Sequence, residues 1–158
     1  MPWYCLAIII FGILIDQLTK YWAVTFLPLG QVDVIIPGFI ELQRLNNHGA
    51  AYNIFTGKIT LLFLISVIAV IILGYLLYHY RWHQPLLLIG LSCLLAGSVG
   101  NALDRGIRGY VVDMIYINVW NIPLLNFVCN LADIFISLGV ILILIYLLHN
   151  NDKGAVAH

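Results

Sequence analysis

From Ile59 to Tyr80 the chain carries no charged side chain. The hydrocarbon core of a bilayer is crossed by roughly 20 consecutive apolar residues in a helix, so this one run commits the protein to a membrane. Three further apolar stretches, at about 3–26, 86–103 and 128–148, have the same character. Composition agrees, because 63% of the 158 residues are hydrophobic and 9% are charged, where soluble domains carry about 25% charge. A spanning segment must satisfy its own backbone, which makes helices the economical solution. The expected fold class is therefore an all-α membrane bundle, one integral-membrane domain over 1–158 with four transmembrane helices.

The charge balance removes one class of partner. Seven Lys+Arg are matched by seven Asp+Glu, which leaves no basic surplus to neutralise a phosphate backbone, so no nucleic acid is expected. Three widely spaced cysteines make no disulfide framework. Met1 to Ile15 has the apolar run of a signal peptide, but no Lys or Arg precedes it, and Asp16-Gln-Leu-Thr-Lys20 stands where a small-residue cleavage site belongs. It reads as a retained span. Gly90-Leu-Ser-Cys93 has the local look of a lipid-attachment site, yet its depth in the chain argues against the protein being a lipoprotein itself.

Spans 2 and 3 are joined by only His79-Tyr-Arg-Trp-His-Gln84, whereas the connections 27–58 and 104–127 are long and share the opposite face. Within them, Gln31 to Ile36 partly alternates, Pro37-Gly38 reads as a turn, and Tyr110 to Ile117 is β-branched and aromatic. These features predict a small β-sheet or extended element at the membrane surface, tolerated there where it pairs with itself or lines a wet cavity. Arg44, Lys58, Arg105 and Arg108 lie on the long-connection face, against Arg81 and Lys153 on the other. By the positive-inside rule this count places the long connections in the cytoplasm.

The polar residues gather near that same face. Asp16 and Lys20 are spaced i,i+4 on one helix face, as a buried ion pair that fixes span packing or as members of a site. Asn47 and Gly49 fall in Leu45-Asn-Asn-His-Gly-Ala-Ala-Tyr52, where small residues allow close backbone approach, although turn chemistry alone also explains Asn-x-Gly. Gly97-Ser-Val-Gly100 permits tight helix packing, and Asn101, Asp104 and Arg105 follow it. Asp113 sits in an apolar stretch with no evident partner. Asp133 opens span 4, where a helix N-terminus favours a carboxylate, three residues after Asn130.

A second carboxylate is the chemically meaningful partner for Asp113. Two held close cannot both ionise, so one acts as a base on water while the other, protonated, polarises the attacked carbonyl, and the pair titrates as a unit. Other chemistries fit worse. The five histidines are scattered without a His-Glu-x-x-His, and His79 with His83 falls in the short loop, so neither metal nor cofactor is expected. Ser98 with Lys20 or Lys58 would form a serine/lysine dyad, but Ser98 lies in a Gly-rich packing stretch; Cys129 has no histidine to activate it. A proton- or ion-conducting bundle, the alternative function, would string its carboxylates across the membrane, whereas Asp104, Asp113 and Asp133 collect on one side. A structural or assembly factor would need no close carboxylates.

Taken together, Asp16-Gln-Leu-Thr-Lys20, Asn47-His-Gly-Ala-Ala-Tyr52, Gly97-Ser-Val-Gly-Asn-Ala-Leu-Asp-Arg105, Gly109-Tyr-Val-Val-Asp113 and Asn130-Leu-Ala-Asp133 resemble the bacterial lipoprotein signal peptidase family, signal peptidase II, in order, spacing and total length. The resemblance implies a four-span inner-membrane aspartic endopeptidase that removes signal peptides from diacylglyceryl-modified prolipoproteins, cutting on the amino side of the lipidated cysteine. It implies Asp113 and Asp133 as the catalytic pair, with Asn47, Gly49, Asn101, Asp104, Arg105 and Asn130, along with Asp16 and Lys20, binding substrate or supporting the site. Met114 and Cys129 stand where the family often has Phe, and Tyr52 adds a hydroxyl where Phe is frequent. The implied partners are the prolipoprotein and membrane lipid, with a monomer as the working unit. Both termini are then cytoplasmic and the site faces the periplasm, opposite to the charge count.

Overall fold

The computed structural model describes residues 1–49, 58–82, 84–119 and 126–155. In chain order it contains α1 (Trp3–Phe26), β1 (Val32–Ile36), β2 (Ile40–Asn47), α2 (Ile59–His79), α3 (Pro85–Ile107), β3 (Val111–Ile117), β4 (Phe127–Cys129) and α4 (Leu131–Ala155). All four helices contain a stretch long and apolar enough to cross a membrane.

The helix α3 is the hub, packed against α1, α2 and α4. Its buried side carries a run of small and polar residues, including Gly90, Ser92, Ala96, Gly97, Gly100, Asn101 and Asp104. α2 instead buries only Leu62 and Leu77, and Ile65, Ile68, Ile71 and Ile72 face outward. That pattern is what a lipid solvent selects, because outward apolar surface costs nothing in hydrocarbon and packing depends on close backbone approach. A Cβ on Gly97 would overlap the Ala132 carbonyl oxygen, and one on Gly139 would come within 2.7 Å of the Gly90 oxygen. α3 and α4 therefore touch backbone to backbone.

α3 continues four residues beyond the expected Leu103 and carries Asp104 and Arg105 on its last turn. The cause is local. The Arg108 N–H caps the Asp104 carbonyl, and Gly109, at φ 73°, supplies the left-handed residue that ends the helix. α4 begins at Leu131 and runs into the polar tail as far as Ala155.

The four strands form one antiparallel sheet in the order β1-β2-β3-β4. The turn at Pro37-Gly38 joins β1 to β2, with Gly38 at φ 72°. Between β2 and β3 the pairing Leu42↔Ile115 is followed by Leu45↔Asp113 and Asn47↔Val111, which places one extra residue on β2. This bulge has a consequence for the site. Without it Arg44 would lie opposite Asp113 and Asn46 opposite Val111; with it Leu45, Asn47, Val111 and Asp113 share a face. Beneath the sheet Ala23, Leu27, Val112 and Met114 form one apolar cluster, and Cys5, Leu77, Leu87, Leu88 and Leu91 form a second toward the end of the bundle that carries the α2–α3 connection.

Candidate active site

Between these clusters lies a continuous polar network. Asp113 is buried in the middle of β3, and both its carboxylate oxygens accept from amides: Oδ2 from Asn47 Nδ2 at 2.9 Å, and Oδ1 from Asn130 Nδ2 at 2.6 Å. Asn47 reaches it as the diagonal neighbour across the bulged strand pair. Asn130 reaches it because Cys129 pairs with Ile115, which brings the residue after β4 back beside β3.

Asn130 is also the N-cap of α4. Its Oδ1 accepts the Asp133 N–H at 3.0 Å, and the Asp133 carboxylate accepts the Asn130 N–H at 3.3 Å. This is a reciprocal capping box with Asp in the place of Glu or Gln, and it ties Asp133 to the positive end of the helix. The other Asp133 oxygen accepts Asn101 Nδ2 at 2.8 Å. Asn130 therefore joins the two carboxylates through its side chain and backbone. Burial, opposed in part by the Asn47 amide and reinforced by the negative charge of Asp133, pushes the Asp113 carboxyl up to about 6.

A second tier lies behind this pair. Lys20 is fully buried and donates to three acceptors: Asp16 at 2.9 Å, Asp104 at 3.2 Å and Asn101 Oδ1 at 2.9 Å. Asp16 also accepts the Ala132 N–H at 2.9 Å, which joins α1 to the start of α4. Asp104 accepts the Val112 N–H at 3.0 Å and is paired with Arg108, which joins α3 to β3. Two carboxylates are thus balanced by two cations, which is how buried charge is tolerated. The ion-pair reading of Asp16 and Lys20 is present in the geometry, together with links from Lys20 toward the site.

Arg105 does not pair with Asp104 or Asp16 through any hydrogen bond. Its Nη1 donates to Ser66 Oγ at 3.2 Å and to the Asn101 carbonyl at 3.4 Å, and its buried Nε has no partner among the described residues. The Gly49 N–H donates to Asn47 Oδ1 at 2.9 Å. Tyr52 and His83 lie outside the described residues. Asp16, Lys20, Asn47, Gly49, Asn101, Asp104, Arg105, Asp113, Asn130 and Asp133, the residues the resemblance implies for the site, enter one connected cluster. Sequence reasoning passed over Gln17, Ser66 and Arg108. Gln17 donates to the Gly100 carbonyl, and Arg108 stands i,i+4 from Asp104, a signal that was legible.

The alternatives find no support in this geometry. The buried carboxylates form one cluster rather than a path across the bundle. Ser98 takes part in no hydrogen bond with Lys20, whose three donors are engaged. Burial first, then the charges of Asp133 and Asp113, push the Cys129 thiol up to about 12, so it is no nucleophile. No group of three metal-ligating side chains occurs among the described residues.

The family described as signal peptidase (SPase) II matches residues 8–149. A protein of Lactiplantibacillus plantarum named lipoprotein signal peptidase is 40% identical over 150 residues, spanning 95% of this chain and 97% of its own. Its namesake from Enterococcus faecalis is 39% identical over 145 residues, spanning 89% and 84%. A bacterial membrane enzyme solved by the in meso method at 2.3 Å resolution has the same fold, with a TM-score of 0.85 and 33% identity over 95% of this chain and 90% of that one.

Proposed function

The chain belongs to the signal peptidase II family, and from that membership we propose how its own residues carry the reaction. It is a multi-pass protein of a bacterial membrane and an aspartic endopeptidase that removes signal peptides from prolipoproteins. Asp113 and Asp133 are its catalytic pair. The observation that carries this reading is the convergence of Asn47, Asn101 and Asn130, three amides aimed at two carboxylates and joined to each other through Asn130.

Asp133 is the base. It is half-buried, so water can reach it, and it stands in the first turn of α4. Asp113, buried and held up to about 6, keeps the proton. A water placed between them gives its proton to Asp133 and attacks the scissile carbonyl carbon, while Asp113 protonates the carbonyl oxygen. Collapse of the tetrahedral intermediate returns a proton to the leaving amine. The free Nε of Arg105 is a donor for a peptide carbonyl beside the pair.

The substrate cysteine carries diacylglycerol, and the cut falls on its amino side. An apolar groove of about 350 Å³ between α2 and α3, lined by Phe63, Val67, Val99, Leu103, Gly106 and Ile107, gives acyl chains a place along the last turn of α3, the turn that carries Arg105. Two buried chains at about 0.8 kcal/mol per CH₂ fix the depth of the neighbouring peptide bond, and the entropic cost of presenting it to the pair falls accordingly. The enzyme works as a monomer, both termini cytoplasmic and the pair on the extracytoplasmic side. The test is incubation of the purified protein with a diacylglyceryl prolipoprotein, followed by mass spectrometry for the lost signal peptide. Asp113→Asn and Asp133→Asn should each abolish cleavage and leave the protein folded, and near-normal turnover by either breaks the assignment.

A further inference from the structure

The side chain of an asparagine fits equally well with its oxygen and nitrogen exchanged, so its neighbours decide which way it points. Around the catalytic pair each choice is forced by a group that only donates. The Gly49 N–H requires Asn47 Oδ1, which leaves Nδ2 for Asp113. The Asp133 N–H requires Asn130 Oδ1, which again leaves Nδ2 for Asp113. Asn101 is different, because its oxygen is held not by a backbone amide but by a side chain, the Lys20 ammonium. An ammonium has three donors and no acceptor, so Asn101 must turn its Nδ2 to Asp133.

We propose that Lys20 is a positioning residue for the catalytic pair: by holding the Asn101 oxygen it keeps an amide donor on Asp133, the base. This rests on the reading of Asp113 and Asp133 as the pair and goes beyond a packing role for the ion pair with Asp16. Without the ammonium, the ionised Asp133 carboxylate and the 3.3 Å contact from Asn130 Nδ2 still favour that orientation. Once the carboxyl is protonated, however, Asn101 is free to turn and accept from its hydroxyl, a hydrogen bond that Lys20 forbids in the parent. The protonated form of the base gains a partner, so the acid side of the activity profile moves to higher pH.

The charged and titratable groups that face the pair are Asp16 and Lys20 from α1, Asp104 and Arg105 from α3, and Cys129 from β4. Removing Lys20 alone would leave Asp16 without its cation, so the test uses a balanced background. Cleavage of a diacylglyceryl prolipoprotein is measured as kcat/KM against pH for Asp16→Asn and for Asp16→Asn/Lys20→Met. The acid limb of the second should lie about one pH unit higher, about a tenfold loss on the acid side. Asn101→Leu should move the limb equally, and adding Lys20→Met to it should move it no further. Lys20→Arg, whose head also only donates, should keep the wild-type limb even if its rate falls. An unmoved limb in Asp16→Asn/Lys20→Met, with only rate or melting temperature reduced, overturns the proposal and leaves Lys20 a packing residue. A further move on adding Lys20→Met to Asn101→Leu also overturns it, since the ammonium would then act by its charge and not through the amide. Turnover by Asp133→Asn in the same assay would sink the catalytic pair itself, whatever the limb does.

Discussion

Asp113 sits among apolar neighbours in a strand whose first four residues are all buried, and burial sets its chemistry. Its carboxyl is raised from the ordinary 3.8 to about 6, so between these values the folded protein binds a proton that the unfolded chain has released. Stability therefore falls as pH rises through that window. The contribution is fully present below about 3.8 and lost above about 6, a difference of about 3 kcal/mol. The melting temperature of the purified protein should thus decline between about pH 4 and pH 7 from this group, and Asp113→Asn, which has no proton to lose, should flatten that part of the curve. An unchanged slope in the variant would mean that Asp113 titrates alike in both states. The aspartate was recognisable in the sequence because a lone carboxylate in Tyr110 to Ile117 lacks a local explanation. The bonds that brace the surrounding arginines were less so: Ser66 and Arg105 are 39 residues apart, Gln17 and Arg108 are 91 apart, and nothing local signals either contact.

At the scale of elements, the spans were legible because each is an apolar run bounded by charge, and a bilayer leaves helix as the solution. β1 and β3 were legible from turn and β-branched signals. β2 was not, because Glu41, Gln43, Arg44, Asn46 and Asn47 give it the composition of a loop, and it is a strand only because β1 and β3 pair with it on both sides. The bulge was invisible for the same reason, since register belongs to a pair of strands. Deleting Gln43 tests what the bulge does. The shortened strand would pair in simple register, with Leu45 still opposite Asp113 and Asn47 still opposite Val111. Cleavage and the helical circular dichroism should both be kept, and lost activity in a folded variant would show that the site needs the bend of the bulge as well as the face it gives Asn47. Gly97→Ala tests the other determinant, the α3–α4 contact. Its Cβ meets the Ala132 carbonyl, a backbone atom that cannot swing aside, one residue before Asp133. Overpacking of this kind costs about 1–3 kcal/mol, so both the melting temperature and kcat should drop. A variant that melts like the parent would mean the helices separate without cost.

For the whole molecule, the direction in which the bundle faces turns on its cations, and here the structure changes the arithmetic of the sequence. The cations counted for the long-connection face are Arg44, Lys58, Arg105 and Arg108, four against Arg81 and Lys153. The positive-inside rule concerns loop charges that resist translocation. Arg105 lies on α3 bonded to Ser66 and the Asn101 carbonyl, and Arg108 is paired with Asp104, so both are committed inside the bundle. Taking them out leaves two on each side, and the count no longer opposes an extracytoplasmic site. At the opposite end Trp3, Tyr78 and Trp82 are exposed, and Arg81 lies 4.2 Å over the Tyr78 ring, a cation and aromatic belt of the kind that marks an interface. In the proposed function the lipidated cysteine meets Asp113 and Asp133 at the level of the α2–α3 groove, whose lining reaches Gly106 and Ile107 at the end of α3. Single reporter cysteines in intact cells decide the matter cleanly, because Cys5, Cys93 and Cys129 are buried and silent. A cysteine at the exposed Gln31, in the turn before β1, should react with a membrane-impermeant maleimide added outside. One at Trp82, 81% exposed, should react only after the membrane is opened. The reverse pattern would put Asp113 and Asp133 in the cytoplasm and overturn the proposed orientation.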